Sequence, residues 1–491
     1  MDYALLISRY TTEHERQKLS MQRSLQFALR RAIQQGSLVA GSRLLSSRIL
    51  AQELGIARNT VVYAYEQLVA EGFLETNRRG TIVTKIEAMP QAVAPDIASH
   101  RALAKRAQSI LSLPVPPELS SGFAPGVPAL KEFPIRLWRS LLDKTWRAST
   151  AQHLAYAEAA GEPSLRAAIV EHLRASRGVE CDFDQVIITD GTQSSLDLCA
   201  HAFADAGDKV WMENPGYMGA QIAFKSAQLK IIGINIDEDG LAPKTKDWLQ
   251  HPPKLIYVTP SHQYPSGSIL SLERRIALIG AATQHQSLII EDDYDSEFRH
   301  DGPPLPAMQG LVKDAPVIYL GTFSKTMFPA LRIAYMVVPK NVIAALRTMV
   351  ATLSLRGRRT EQLCLAQFIH QGHFVRHVRR MRKLYRQRRD ALVAALSTLI
   401  AQQAIKVEII GDQAGMHLAL RFKDHSVDDI ALSNALLKLG IIAPALSLHR
   451  IGSRLNTWRG LMLGYAQVPS EDIPGLVKKM SLILATAISS A

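Results

Sequence analysis

Apolar positions in the first 85 residues recur at helical spacing in three short stretches. Leu25, Leu29 and Ile33 fall at i, i+4 and i+8, which predicts an amphipathic helix closed by Gly36. Ser46 or Ser47 is placed to cap a second helix over RILAQEL, stopped by Gly55. A third is predicted from Arg58 to Glu71, with Val61, Tyr65 and Leu68 on one face and Gly72 as its stop. FLETNRRGTIVT then reads as two short strands around a polar, Gly-containing turn. This pattern predicts a winged helix-turn-helix over 1–85, mainly α with a small β wing.

Residues 86–119 break the pattern. Pro90, Pro95, Pro114, Pro116 and Pro117 forbid a continuous helix, so the stretch reads as a long, semi-rigid linker in which RALAKRAQSI is able to form a short helix. From 120 to 491 the periodicity changes again. QVIIT, KVWME, LKIIGINI, KLIYVT, SLIIED and VIYLGT are strand-length apolar runs, and helical stretches such as QSSLDLCAHAFAD and LERRIALIGAATQH lie between several of them. That alternation predicts a largely parallel α/β sheet over about 150–340. Two helical stretches, the strands KVEII and MHLALRF, and further helices predict an α+β subdomain over about 341–491. There is no internal repeat.

The 491 residues exceed the roughly 250–300 that one core sustains, consistent with a multidomain chain. Apolar residues at 47% and charged residues at 21% exclude a disordered or collagen-like protein. No run approaches the ~18 apolar residues that cross a bilayer, and the N-terminus lacks the basic start and long apolar core of a secretory signal. Cys181, Cys199 and Cys364 are too few and scattered for a disulfide framework, and no CxxC pair suggests zinc. A cytosolic protein with reduced thiols, no membrane span and no metal site is expected.

The net charge of +13 invites an acidic partner, but its distribution matters more. Residues 1–85 carry a net +5, whereas Arg356–Arg389 carries +10 in a run that reads as a long helix. A solvated face is the simpler account of such a run, and contact with DNA between half-sites is a subsidiary expectation for Arg376–Arg389.

The segment LLSSRILAQELGIARNTVVYAYEQLVAEGFLE, followed by GTIV, resembles the GntR family of bacterial repressors. Ser46, Ser47, Arg48, Leu50, Ala51, Leu54, Gly55, Arg58, Asn59, Thr60, Gly72 and Gly80 sit where that family places them. The physics agrees. A recognition helix enters the major groove by its N-terminal residues, here Arg58, Asn59 and Thr60. Arg48 is placed to neutralise a phosphate, and Arg78 and Arg79 at the wing tip reach the backbone or minor groove.

GTFSKTMFPALRIAY follows a strand and resembles the cofactor-lysine segment of fold-type I pyridoxal-phosphate enzymes. A lysine at the carboxyl end of such a sheet, Lys325, is able to join the pyridoxal aldehyde and is the candidate catalytic residue. The resemblance gives Thr322, Ser324 and Arg332 to the phosphate. Asp292 in SLIIEDDYDSEF is suited to the pyridine nitrogen, and Tyr294 to the ring's phenolic oxygen. Asp293 and Asp295 read as local solvation or capping, and Glu291-Asp292-Asp293 is a poor metal cluster with no histidine at ligand spacing. Gly191, Thr192 and Gln193 offer backbone N–H groups at a helix start. Tyr217 is suited to stack on the pyridine face, and the resemblance places His262 by the ring oxygen.

Joined, the two halves resemble the MocR subgroup of bacterial regulators. The resemblance implies a homodimer on double-stranded promoter DNA, whose pyridoxal 5'-phosphate domain senses that cofactor or an amino compound. Catalytic aminotransferases usually hold the substrate α-carboxylate with an arginine near the C-terminus. Met462 stands at that position, and whether Arg459 substitutes is open at this level. A working aminotransferase with an appended DNA module is therefore the weaker alternative.

Overall fold

The computed structural model describes residues 3–10, 19–78, 80–85, 103–111, 122–300, 302, 305–353, 357–403, 406–424, 426–452 and 458–489. It divides into two compact units, Met1–Ala102 and Leu103–Ala491. Arg79 and most of the predicted linker lie outside the described residues.

In the first unit, α1 (Tyr3–Tyr10), α2 (Met21–Gln34), α3 (Ser47–Leu54) and α4 (Arg58–Ala70) precede the hairpin of β1 (Leu74–Asn77) and β2 (Gly80–Val83). Ser46 caps α3 by accepting from the Ile49 N–H at 3.4 Å, and Gly55 ends it in the left-handed region at φ 64°. Leu25, Leu29, Leu50, Val61, Tyr65 and Leu68 are buried in one core, as their spacing predicts, and Ile33 packs against it. The wing pairs antiparallel, Leu74 opposite Val83 and Asn77 opposite Gly80. Helix α1 is an addition to the sequence reading: its Tyr3, Leu6 and Tyr10 face is buried against α2 and α3. An eight-residue helix is marginal alone and holds its shape by such packing.

The second unit begins with α5 (Lys105–Leu111), which overlaps the stretch RALAKRAQSI and runs one residue past it. Further on come α6 (Pro163–Arg177), β3 (Val186–Thr189), α7 (Thr192–Phe203), β4 (Lys209–Asn214), α8 (Met218–Ser226), β5 (Lys230–Asp237), β6 (Gly240–Leu241), β7 (Leu255–Val258), α9 (Leu272–Gln284), β8 (Leu288–Asp293), β9 (Val317–Thr322) and β10 (Ala334–Val337). These strands form one eight-stranded sheet of order β3-β10-β9-β8-β7-β4-β5-β6. The β4–β5, β4–β7, β7–β8 and β8–β9 pairs are parallel. Strand β10, absent from the sequence reading, runs antiparallel between β3 and β9. Its four residues are buried on both faces and carry no alternation to mark it.

A three-stranded antiparallel sheet follows, β11 (Val407–Ile410), β12 (His417–Phe422) and β13 (Gly460–Gly464), with α10 (His373–Gln403), α11 (Asp429–Lys438) and α12 (Ile473–Ser489). Some of the α10 arginines also hold this unit together. Arg380 donates to the Glu132 carbonyl, Arg382 to the Glu297 carbonyl at 2.9 Å, and Arg388 to the Ala466 carbonyl, while Arg389 pairs with Asp390 at 2.8 Å. Arg376, Arg379, Arg380, Lys383 and Arg386 of the basic run are exposed, while Phe374, Met381 and Tyr385 bury one side of the same helix. Among the described residues no helix is long and apolar enough to cross a membrane.

Candidate functional site

In the first unit the loop from α3 to α4 brings two helix starts together. Arg58 Nε lies 3.5 Å from Ser47 Oγ, and Arg48, Arg58 and Asn59 are exposed, with Thr60 partly so. The cap position Ala57 has no side-chain acceptor for α4, so the positive end of that helix is open to an anion. Arg78 is exposed at the wing tip. The sequence reading missed Arg43. It bridges to Ile82, and a β-carbon on Gly80 would stand 2.8 Å from Arg43 Nε. Gly80, at φ 125°, therefore serves a close approach that lets Arg43 lie across the wing.

In the second unit, the carboxyl ends of the parallel strands surround a cavity of about 320 Å³. Thr192, Gln193, Tyr217, Asp292, Tyr294, Thr322, Ser324, Lys325 and Arg332 all line it. Residues distant in the chain meet there because most lie at or just beyond the end of a parallel strand or at a helix start, with Arg332 just ahead of β10. A larger cavity of about 760 Å³ opens at the amino ends, where Gln185, Lys313 and Lys340 lie, and holds none of these residues. Size alone does not define the site; the convergent polar groups do.

Lys325 Nζ donates to the Gly126 carbonyl at 2.8 Å, and a β-carbon on Gly126 would stand 2.8 Å from that amine. Burial lowers the Lys325 pKa, opposed by Asp295 and Asp292, which favours an amine able to react. Asp292 sits at the end of β8, and its Oδ2 accepts from the Tyr257 hydroxyl at 2.7 Å. Its Oδ1 is buried with no partner. Burial pushes the carboxyl up to about 7, although the Tyr257 bond works the other way. A buried acceptor left open in this way invites a cationic N–H.

Arg332 takes a left-handed backbone at φ 49° and donates to the Asp190 carbonyl at 2.9 Å. A β-carbon on Gly191, at φ 96°, would stand 2.8 Å from its guanidinium, so glycine is required where α7 begins. Thr322 Oγ1 accepts from the Ser324 N–H at 3.2 Å. Together with the start of α7, these groups form a wall of donors suited to a phosphate. Tyr217 crosses Tyr264 edge-to-face, with centroids 5.3 Å apart, and burial pushes its hydroxyl up to about 12.

His262 departs from expectation. The sequence reading put it beside the cofactor ring, but it stands behind Tyr294, off the cavity wall. The Tyr294 hydroxyl donates to the His262 carbonyl at 2.8 Å and lies 3.0 Å from His262 Nδ1. Asp295 Oδ2 is 3.2 Å from the same nitrogen, and Nε2 is 3.3 Å from the Gly411 carbonyl. Tyr264, two residues on, reaches the wall instead. Asp295 and Asp293 are also not the solvated or capping residues expected. Asp295 holds His262; Asp293 is buried, 2.7 Å from Arg177 Nε, and accepts from the Tyr319 hydroxyl at 2.5 Å. Glu291 accepts from the Met308 and Gln309 N–H groups, so the three acids point to separate partners.

Gly415, at φ 79°, is what lets this support close. A β-carbon there would stand 2.2 Å from His262 Cε1 and 2.5 Å from Asp295 Oδ2. Gly415→Ala is expected to lower unfolding stability by about 2–4 kcal/mol, from overpacking and a strained left-handed alanine, read as a lower urea midpoint at unchanged slope.

The position read as the carboxylate-holding arginine is buried Met462, in a small cluster with Ala419 and Leu446. Arg459 is not among the residues that line the cavity. Its Nη1 is 3.1 Å from Asp429 Oδ1, and that buried carboxylate also accepts from Ser447 and the Gly460 N–H. One guanidinium nitrogen of Arg459 is thereby engaged with a buried acid.

A DNA-reading head and a cofactor-type cavity on an aminotransferase sheet define the class of protein, and comparison with known proteins agrees. Residues 22–83 match bacterial regulatory proteins of the gntR family, and residues 123–458 match aminotransferase class I and II. The chain is 39% identical over 481 residues, 96% of its length and 95% of the relative's, to the probable rhizopine catabolism regulatory protein MocR of Rhizobium meliloti. It is 34% identical over 372 residues, 76% of its length and 78% of the relative's, to the pyridoxine biosynthesis transcriptional regulator PdxR of Corynebacterium glutamicum. The chain belongs to the MocR-type GntR-family transcriptional regulators, with a fold-type I aminotransferase domain.

Solved structures show the same fold. An archaeal alanine:glyoxylate aminotransferase superposes with a TM-score of 0.70 at 23% identity, covering 78% of this chain and 98% of that one. The α-aminoadipate aminotransferase LysN of Thermus thermophilus gives 0.68 at 24%, covering 82% and 100%. The cofactor of the class I and II domain is pyridoxal 5'-phosphate, and the orphaned Asp292 Oδ1, the glycine cradle facing Arg332 and the buried Lys325 amine fit it.

Proposed function

We propose that this regulator holds pyridoxal 5'-phosphate on Lys325 and that a small amine reaching the same cavity changes how the chain binds a promoter. The open Asp292 Oδ1 beside Lys325 carries the reading, since an unpartnered buried carboxylate oxygen needs a ligand donor. Bound there, the cofactor supplies an aldehyde for primary amines and an electron-withdrawing ring. Asp292 holds the ring nitrogen, Tyr217 covers one ring face and Tyr294 stands at its hydroxyl edge. Thr192, Gln193, Thr322, Ser324 and Arg332 bind the phosphate, with Gly191 admitting the guanidinium. His262 positions Tyr294.

In the DNA head, Arg58, Asn59 and Thr60 read base edges, and Arg48, Arg78, Arg79 and Gly80 meet the backbone or minor groove. The head spans 1–85, residues 86–119 are the linker, and 120–491 form the cofactor domain. A homodimer pairs two heads on two half-sites. Exposed large apolar side chains at Ile135, Trp146, Leu154 and Tyr156 support a partner surface.

Efficient transamination of amino acids is disfavoured, because Met462 offers no charge to a carboxylate and Arg459 is bound to Asp429. The test is selection of a bound duplex from a random pool, followed by titration with and without pyridoxal 5'-phosphate. A cofactor-dependent change in affinity or footprint is expected; an identical footprint and affinity in both states rejects the sensing role.

A further inference from the structure

His417 opens β12 on the wall of the same cavity. It is 1% exposed, and its ring is wedged between His262 at 4.7 Å and Tyr264 at 5.4 Å between centroids, which fixes its orientation. The Pro265 carbonyl acts on this ring and favours an N–H turned toward it. Nε2 is buried and has no partner. A neutral imidazole carries one N–H and one bare acceptor, and with its N–H toward Pro265 the acceptor is the unpartnered Nε2. Burial and the neighbouring His262 keep that ring neutral, well below the ordinary histidine range.

His262, Asp295 and His417 bring ligand-type atoms within 4.8 Å of one another. His262 and Asp295 already satisfy each other at 3.2 Å, so the open valence of the cluster is the His417 lone pair. A carboxylate brought to it would set acceptor against acceptor. A hydroxyl would complete the bond.

We propose that His417 selects the effector, its Nε2 accepting a hydrogen bond from a hydroxyl group, so that the cavity takes a hydroxylated primary amine in preference to an amino acid. This rests on the reading of Lys325 as the cofactor lysine: the amine goes to the cofactor and the hydroxyl to His417. The buried Met462, on the strand beside β12 and opposite Ala419, agrees in offering no cation to a carboxylate.

The test uses the cofactor-loaded full chain. Changes in the visible absorbance of the bound cofactor are titrated with 3-aminopropanol, butylamine and 3-aminopropanoate. Half-saturation at least tenfold lower for 3-aminopropanol than for the other two is expected. In His417→Phe the three values should converge, and His417→Gln, whose amide oxygen accepts, should restore part of the difference. Equal values in the unmodified chain, no response to 3-aminopropanol, a preference for 3-aminopropanoate, or full discrimination kept in His417→Phe overturns the inference. Should His417→Phe not fold, the unmodified chain and His417→Gln still decide. A visible cofactor band without discrimination removes this inference alone, whereas no band removes the Lys325 reading with it.

Discussion

Lys325→Ala is expected to abolish covalent cofactor retention completely. The unmodified chain, incubated with pyridoxal 5'-phosphate, should show a visible band and, after borohydride reduction, a fixed mass increment on the peptide containing Lys325. The variant should show neither, because no other lysine lines the described cavity wall. Stability should follow. A ligand at a hundred times its Kd stabilises by about 2.7 kcal/mol, so melting of the unmodified chain should rise with added cofactor. The variant should retain only what Asp292, Arg332 and the helix start contribute without the bond. An unchanged mass increment in Lys325→Ala, or its appearance on another peptide, would show that the chemistry lies elsewhere.

The second large effect belongs to the DNA head. Arg58→Ala should weaken binding to the selected duplex by about 1–3 kcal/mol, roughly five- to 150-fold. The form of the loss says what Arg58 touches. Relaxed preference at one base pair marks a base contact, whereas a uniform loss with a salt slope shallower by about one marks a phosphate. Affinity and slope both unchanged would remove α4 as the recognition helix. Because Arg58 is exposed, no folding defect is expected to confuse the result.

Some supporting groups were not legible in the sequence. Asp293 and Asp295 look like solvated acids in a run of four charges, EDDYD, yet each is buried with its own partner. Those partners, Arg177 and His262, come from far along the chain, and local spacing cannot report them. His262 was misplaced for a related reason. The motif locates the loop, but which of its side chains faces the cavity depends on how Gly415 and Asp295 pack behind it.

What could be read from residue order was whatever repeats at short range: helix faces of the head, their glycine stops, the apolar strand runs, and motifs whose residues lie within a turn or two of Lys325, Asp292 and Arg58. Folding alone settled the antiparallel insertion of β10, the bond from Arg382 on α10 to the Glu297 carbonyl, the tie of Arg459 to Asp429 and the open nitrogen of His417. The division has one physical cause. Periodicity records which side of an element avoids water, whereas the pairing of a buried charge or lone pair depends on a neighbour brought in by tertiary packing, tens to hundreds of residues away.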